Sequence, residues 1–239
     1  MANTTQNVRI LMTLSNLVYL RAESIPQLIS QFETNFSVKL TDESKAIRDA
    51  LGTIDARLFQ AYVRPTVEKL TKIINDGILS ASWMPTTARP TDARPYVYDV
   101  LLTLVLVHSE VSTTASATLT NQILSYLLEQ SSLALINAFK QRPRYTLAAL
   151  MQATLDVEFM AQTLNTYTTD RAGEVQSQIY LALDERTDND ARTKLQSELP
   201  KMRAILKRLR EGTKGEFVCF RRERRGRLER SGSTARAQG

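Results

Sequence analysis

"YVYDVLLTLVLVHSEV", residues 96–111, is the stretch on which the fold turns. Its valines and threonine suit a buried strand, because branched side chains pack well on a pleated surface. Its length exceeds that of an ordinary buried strand, and its neighbours carry the three-and-four spacing of helices, so a buried helix is the better reading. With it falls the case for a sheet. The chain has only 8 Gly and 7 Pro in 239 residues, too few for the turn every ten residues or so that an all-β chain needs. The expected fold class is therefore all-α: stacked antiparallel helical bundles forming a rod, with a disordered C-terminal tail.

Immediately before the stretch, "WMPTTARPTDARP" (83–95) combines Pro85, Pro90 and Pro95 with small polar residues, the composition of an extended surface connector. It divides a first helical segment, 1–82, from a second helical bundle, 96–212. In the first, "VRILMTLSNLVYL" (8–20) places Ile10, Leu11, Leu14, Leu17 and Val18 on one helical face. Ser24 is expected to cap a second helix with Pro26 in its first turn, and Thr41 a third, with Asp42 and Glu43 at the positive end of its dipole. Ile47, Leu51, Ile54 and Leu58 predict a buried stripe on that helix, which Pro65 either kinks or ends.

Beyond the stretch, Leu124, Leu128, Leu135 and Phe139 mark one helix, and Leu147, Leu150, Met151, Leu155 and Phe159 another. Two more follow, separated near "RTDND", where Thr187 or Asp188 can cap the last. Its stripe is Leu195, Leu199, Met202, Leu206 and Leu209, with Pro200 inside and Gly212 near the end. Residues 213–239 are read as a basic tail, and after about Phe220 no apolar stripe remains. From Lys201 onward there are 13 Lys and Arg against 4 Asp and Glu, which leaves 18 basic against 21 acidic groups in the first 200 residues. The net charge of +6 therefore belongs to the C-terminal end.

Chemistry finds little purchase. His108 is the single histidine and sits inside an apolar helix, so a His-based metal cluster is excluded and a structural role is preferred to a catalytic one. Cys219 is alone, which together with the missing secretory signal points to a reducing cytoplasm; neighbouring positive charge could lower its pKa, but a passive thiol is the preferred reading. Asp156 and Glu158, two apart on a helix, face away from each other and are expected to be solvated or salt-bridged. No glycine-rich phosphate loop occurs. No catalytic, cofactor-binding or metal site is assigned, no cofactor or small-molecule substrate is expected, and the chain reads as a non-enzyme.

The basic residues Arg221, Arg222, Arg224, Arg225, Arg227 and Arg230 are the candidate electrostatic contact. An inert tail ranks first, an anionic membrane or acidic partner second, and nucleic acid third, since no aromatic after Phe220 could stack on bases.

Five blocks carry a resemblance: "LTDESKAIRDALGTIDARLFQAYVRPTVEKL" (40–70), "ARPYVYDVLLTLVLVHSEVSTTA" (93–115), "LTNQILSYLLEQSSLALINAF" (119–139), "YTLAALMQATLDVEFMAQTL" (145–164) and "LQSELPKMRAILKRLREGTKGEFVCFRR" (195–222). Together they resemble the C-terminal part of a fungal exocyst subunit of the component-two type, from roughly Thr4 to Phe220. The resemblance implies a helical-rod tethering protein. Its partners would be other exocyst subunits and, indirectly, small GTPases and the vesicle and plasma membranes. Its place would be the cytoplasm near sites of secretion, and the chain would be a fragment or truncated form of a longer protein. The alternative is a helical adaptor that binds nucleic acid or anionic membrane through its Arg-rich tail.

Overall fold

Residues 96–111 are helical. They lie in α4 (Pro95–Thr114), with Val97, Val100, Leu101, Leu104 and Val111 buried. The structure is a computed structural model that describes residues 2–221 apart from 86 and 88; of the tail read as 213–239, residues 213–221 are ordered against the core and the remainder lies outside the described residues. The other helices are α1 (Ala2–Tyr19), α2 (Ile25–Phe36), α3 (Thr41–Leu79), α5 (Ala117–Lys140), α6 (Leu147–Thr163), α7 (Asp170–Glu185) and α8 (Asn189–Gly212). No strand forms among the described residues beyond an isolated bridge between Tyr145 and Thr187. The fold is all-α.

Four helix starts follow the capping chemistry of short oxygen-bearing side chains. Ser116, Thr146, Thr169 and Asp188 each accept the backbone N–H three residues on and so satisfy a donor that the helix leaves free. Two expected caps are absent. Ser24 has helical backbone angles and no capping hydrogen bond, because the chain passes from α1 into α2 without leaving the helix. Leu20–Ser24 instead form a π-turn in which the Ile25 N–H reaches the Leu20 carbonyl. A wider turn accommodates Pro26, which has no N–H to give and crowds the preceding carbonyls. Thr41 is the first residue of α3 rather than its cap; Leu40 takes that place, and its own N–H is held by Glu33 Oε1 at 2.7 Å. α2 ends at Ser37, in the left-handed conformation with φ 51°.

α5 lies at the centre, packed on α3, α4 and α7, while α6 and α8 form an adjoining pair. One continuous core joins them, with Phe139, Phe159, Leu101, Ile123 and Ile74 fully enclosed. Burying each such side chain stabilises the fold by roughly 1.5–3 kcal/mol. α3 runs 39 residues, about 58 Å along its path, and continues through Pro65 instead of ending there. Its C-terminal half is buried at Tyr62, Val63, Leu70, Ile74 and Ile78. Gly77 is a point of close approach to α4, since any Cβ there would meet the Tyr96 side chain.

The stripe Ile47, Leu51, Ile54, Leu58 is not buried. Ile47 and Ile54 are exposed, Leu58 and Phe59 pack only partly against the core, and no side chain between Leu17 and Tyr62 is fully buried. α2 and the first half of α3 form a hairpin arm with nothing packed over it. The amphipathic pattern was real, but among the described residues no layer covers it.

The 83–95 segment also differs from a surface connector. Trp83, Pro90 and Ala93 are buried. Arg142 clamps the segment: it donates to the carbonyls of Ile78 and Ser80 at the end of α3 while its guanidinium lies 4.7 Å from the Trp83 ring centroid. At the far end of the chain, residues past Gly212 turn back to the core. Phe217 stacks near Phe220, and both pack edge-on to α6 or its flank through Phe159 and Tyr167. Thr166 Oγ1 holds the Phe220 carbonyl at 2.9 Å.

Candidate interaction surfaces

The residues that chemistry would have recruited are held in structural roles. Asp156, expected to be solvated, is completely buried. Its Oδ1 accepts the Gln152 amide at 2.8 Å and the Arg94 backbone N–H at 2.9 Å, and Oδ2 accepts the Trp83 indole at 3.4 Å. The buried Tyr96 hydroxyl faces the same carboxylate without reaching hydrogen-bonding geometry. Burial pushes the Asp156 carboxyl up to about 6, against the opposing pull of its donors. It fastens the connector and the N-terminus of α4 onto α6. Periodicity gave no sign of this, because its partners come from 62 and 73 residues away.

Glu158 points elsewhere, as the helical spacing required, and accepts the Tyr180 hydroxyl at 2.7 Å and the Gln162 amide at 2.9 Å. Hydrogen bonds rather than salt bridges hold it. His108 is half-buried with its ring edge-on to Phe220, and burial lowers its pKa. The Cys219 thiol is pushed up by burial, so the nearby arginines do not activate it. Among the described residues no group of His, Cys, Asp and Glu is placed to hold a metal, and no helix is long and apolar enough to cross a membrane.

Two surfaces remain. The first is the arm. Leu28, Phe32 and Phe36, spaced by four residues on α2, are 60%, 46% and 63% exposed, and the two phenyl rings lie 4.5 Å apart. Ile47 and Ile54, seven apart on α3, are exposed as well. The arm holds together through modest links such as the ion pair of Arg21 with Asp55 at 3.6 Å. A cleft of about 250 Å³ opens between α2 and α3, lined by Ile25, Ile29 and Leu51 among others.

The second surface runs along α8. Arg203, Lys207 and Arg210 follow one another at steps of four and three, which aligns them on one side of the helix, and Lys214, two residues past its end, lines the same groove. With Arg221 and Gln162 they border a groove of about 450 Å³ in which Glu211 is the one carboxylate among the described lining residues. The groove continues toward the start of α8 over Leu155, Leu199, Met202 and Leu206, a further space of about 300 Å³. Of the six tail arginines proposed as a contact, Arg221 alone falls among the described residues; its guanidinium donates to the Arg210 carbonyl at 3.4 Å. Arg222, Arg224, Arg225, Arg227 and Arg230 lie outside them. The cations of α8 are part of the positive charge counted from Lys201 onward, but it is the winding of the helix that brings Arg203, Lys207 and Arg210 to one groove.

Comparison with known proteins supplies the context. Two relatives, the human and mouse proteins named "Exocyst complex component 2", are 26% and 25% identical over 207 residues. Each alignment covers 84% of this chain and 22% of the relative, so the chain spans about a fifth of the length of the curated relatives it matches. No solved structure matches significantly. The family model described as "Exocyst complex component Sec5" matches residues 1–220, the whole helical body from α1 to Phe220. The chain belongs to the exocyst complex component Sec5 family.

Proposed function

We propose that this chain is a non-enzymatic segment of an exocyst subunit, one that scaffolds the docking of secretory vesicles at the plasma membrane by gripping other subunits. The observation that carries this reading is the arm: a family match extends across it, yet no side chain between Leu17 and Tyr62 is fully buried. An amphipathic helix with its apolar stripe in water is unfinished, and a neighbouring helix laid along it would complete the packing. The groups that could do chemistry, His108, Cys219 and Asp156, are packed or hydrogen-bonded for structure. The mechanism is geometric. The bundle holds the arm rigidly at its base, and the arm presents Leu28, Phe32 and Phe36 to a partner. Small GTPases and the two membranes would be met indirectly, through neighbouring subunits, on the cytoplasmic side near sites of secretion. The tail arginines would add an anionic contact.

The test is recovery of identified exocyst subunits with the tagged chain from cell extract. Leu28→Ser with Phe32→Ser and Phe36→Ser should cut that recovery several-fold while leaving the circular dichroism melt in place. Equal recovery by the triple variant would remove the arm from the mechanism, and absence of any exocyst subunit would remove the scaffold reading.

A further inference from the structure

We infer that the groove along α8 is a docking site for an acidic amphipathic helix, a partner segment with one apolar edge and a run of Asp and Glu beside it. The inference goes beyond the tethering reading and does not rest on it.

The charge pattern is the first observation. On one side of α8, charge is consumed within the chain: Glu198 holds Arg89 at 2.7 and 2.8 Å and Lys201 at 3.4 Å, while Arg208 donates to the Thr91 carbonyl at 2.7 Å. On the groove side, Arg203, Lys207 and Arg210 stand in one row, and Lys214, just past the helix end, faces the same groove. The one ion pair among them in the described residues is the long, exposed contact of Lys207 with Glu211 at 3.9 Å. Like charges four residues apart oppose the helix that carries them. An anionic occupant removes that opposition and gains steering as well as affinity.

The shape is the second observation, and it selects among anions. The basic row borders a concave space whose other end is lined by the half-buried Leu199, with Met202, Leu206 and Leu155 nearly covered beneath it and Thr154, Glu158 and Gln162 beside them. A phosphate backbone or a lipid headgroup layer has no use for an apolar contact at Leu199 beside a basic wall. Nor are bases offered a stacking platform, since Phe217 and Phe220 beside the groove are buried at 3% and 1% exposure. From Leu199 to Arg210 α8 rises about 17 Å, the length of three helical turns, and a partner helix of about a dozen residues would cover it. Its leucines would enter over Leu199 and Met202 while its carboxylates met Lys207, Arg210, Lys214 and Arg221.

The probe is a fluorescein-labelled 14-residue peptide of leucine and glutamate with leucines at steps of three and four, compared with a scrambled peptide of identical composition. Anisotropy with the full chain at about 150 mM salt should show the patterned peptide binding at least about tenfold tighter than the scrambled one, because only it can present a leucine edge. Arg203→Glu, Lys207→Glu and Lys214→Glu together should weaken it at least about tenfold, and Leu199→Ser several-fold. Lys207→Gln with Lys214→Gln, a milder change on exposed side chains, should weaken it in the same direction if the triple variant folds poorly. Replacing Arg222, Arg224, Arg225, Arg227 and Arg230 by Gln should cost less than about threefold. Equal binding of the scrambled peptide would overturn the proposal. So would dependence on the tail arginines instead of the α8 row, or equal use of that row by phosphatidylserine vesicles or a single-stranded RNA.

Discussion

The arm and the bundle are built from similar helical sequence and finish in opposite states. In the bundle, α5 is wrapped by α3, α4 and α7, and its Leu124, Leu128, Leu135 and Phe139 are buried. In the arm, Leu28, Phe32 and Phe36 repeat at comparable intervals and face water. What differs is the number of neighbours, not the amphipathic pattern. A stripe declares that a helix wants company; it does not say whether the company lies in the same chain. In a protein whose relatives are several times longer and named as components of a complex, the stripes left open are the informative ones.

The sharpest way to break this comparison is to truncate matched aromatics. Phe139→Ala, in the bundle, should cost about 3–5 kcal/mol through lost burial and the cavity left behind. Urea unfolding monitored by circular dichroism would measure it, and a loss below about 1 kcal/mol would mean that the bundle core is loose.

A second test uses pH. Asp156 ionises in the folded chain at about 6 instead of at its ordinary value of 3.8. Between those values the folded state keeps a proton that the unfolded chain has released. Stability contributed by this group is thus present below about 4 and is lost as pH rises toward and past 6, by up to about 3 kcal/mol. In Asp156→Asn that limb should flatten, and parallel pH profiles for the two proteins would show that the carboxylate is wetter than its surroundings suggest.

Smaller is the expected cost of Gly77→Ala. The new methyl meets Tyr96 where α3 and α4 approach, and about 1–3 kcal/mol should be lost to overpacking. The helix propensity gained is below that, so a stabilised variant would show that the helices can separate freely.

The smallest effect is expected in the arm. Phe32→Ala should change monomer stability by less than about 0.5 kcal/mol, as is usual for exposed positions. Amide exchange gives the matching measurement: hydrogens of residues 25–61 should exchange well ahead of those in α5. Slow exchange in the arm would mean that it already has a partner, most simply a second copy.

Much of the architecture was readable from residues. The helical reading of 96–111, the four-residue spacing in α5 and α6, and Asp188 as a cap all rest on local chemistry, which a sequence displays directly. Where sequence reading went astray, the deciding atoms were distant. Ser24 looked like a cap because nothing local shows that the chain stays helical through Leu20–Ser24. The proline-rich 83–95 looked like a surface loop, yet Arg142 and Asp156, far along the chain, draw Trp83 inward. The arginines after Phe220 drew attention as a linear run, while the row on α8 becomes a run only when wound at 3.6 residues per turn.

The π-turn at Leu20–Ser24 sets the direction in which the arm's apolar seam faces. At roughly 100° per residue, an unbroken α-helix would set Leu28, Phe32 and Phe36 within about 40° of the azimuth of Leu14, which is buried against the bundle. The turn holds one residue more than α-geometry allows and swings all that follows by on the order of 100°. A seam that would have pointed home is thereby aimed outward. Excising a single residue there would turn it back, so the direction in which this molecule is adhesive hangs on one residue of helical winding.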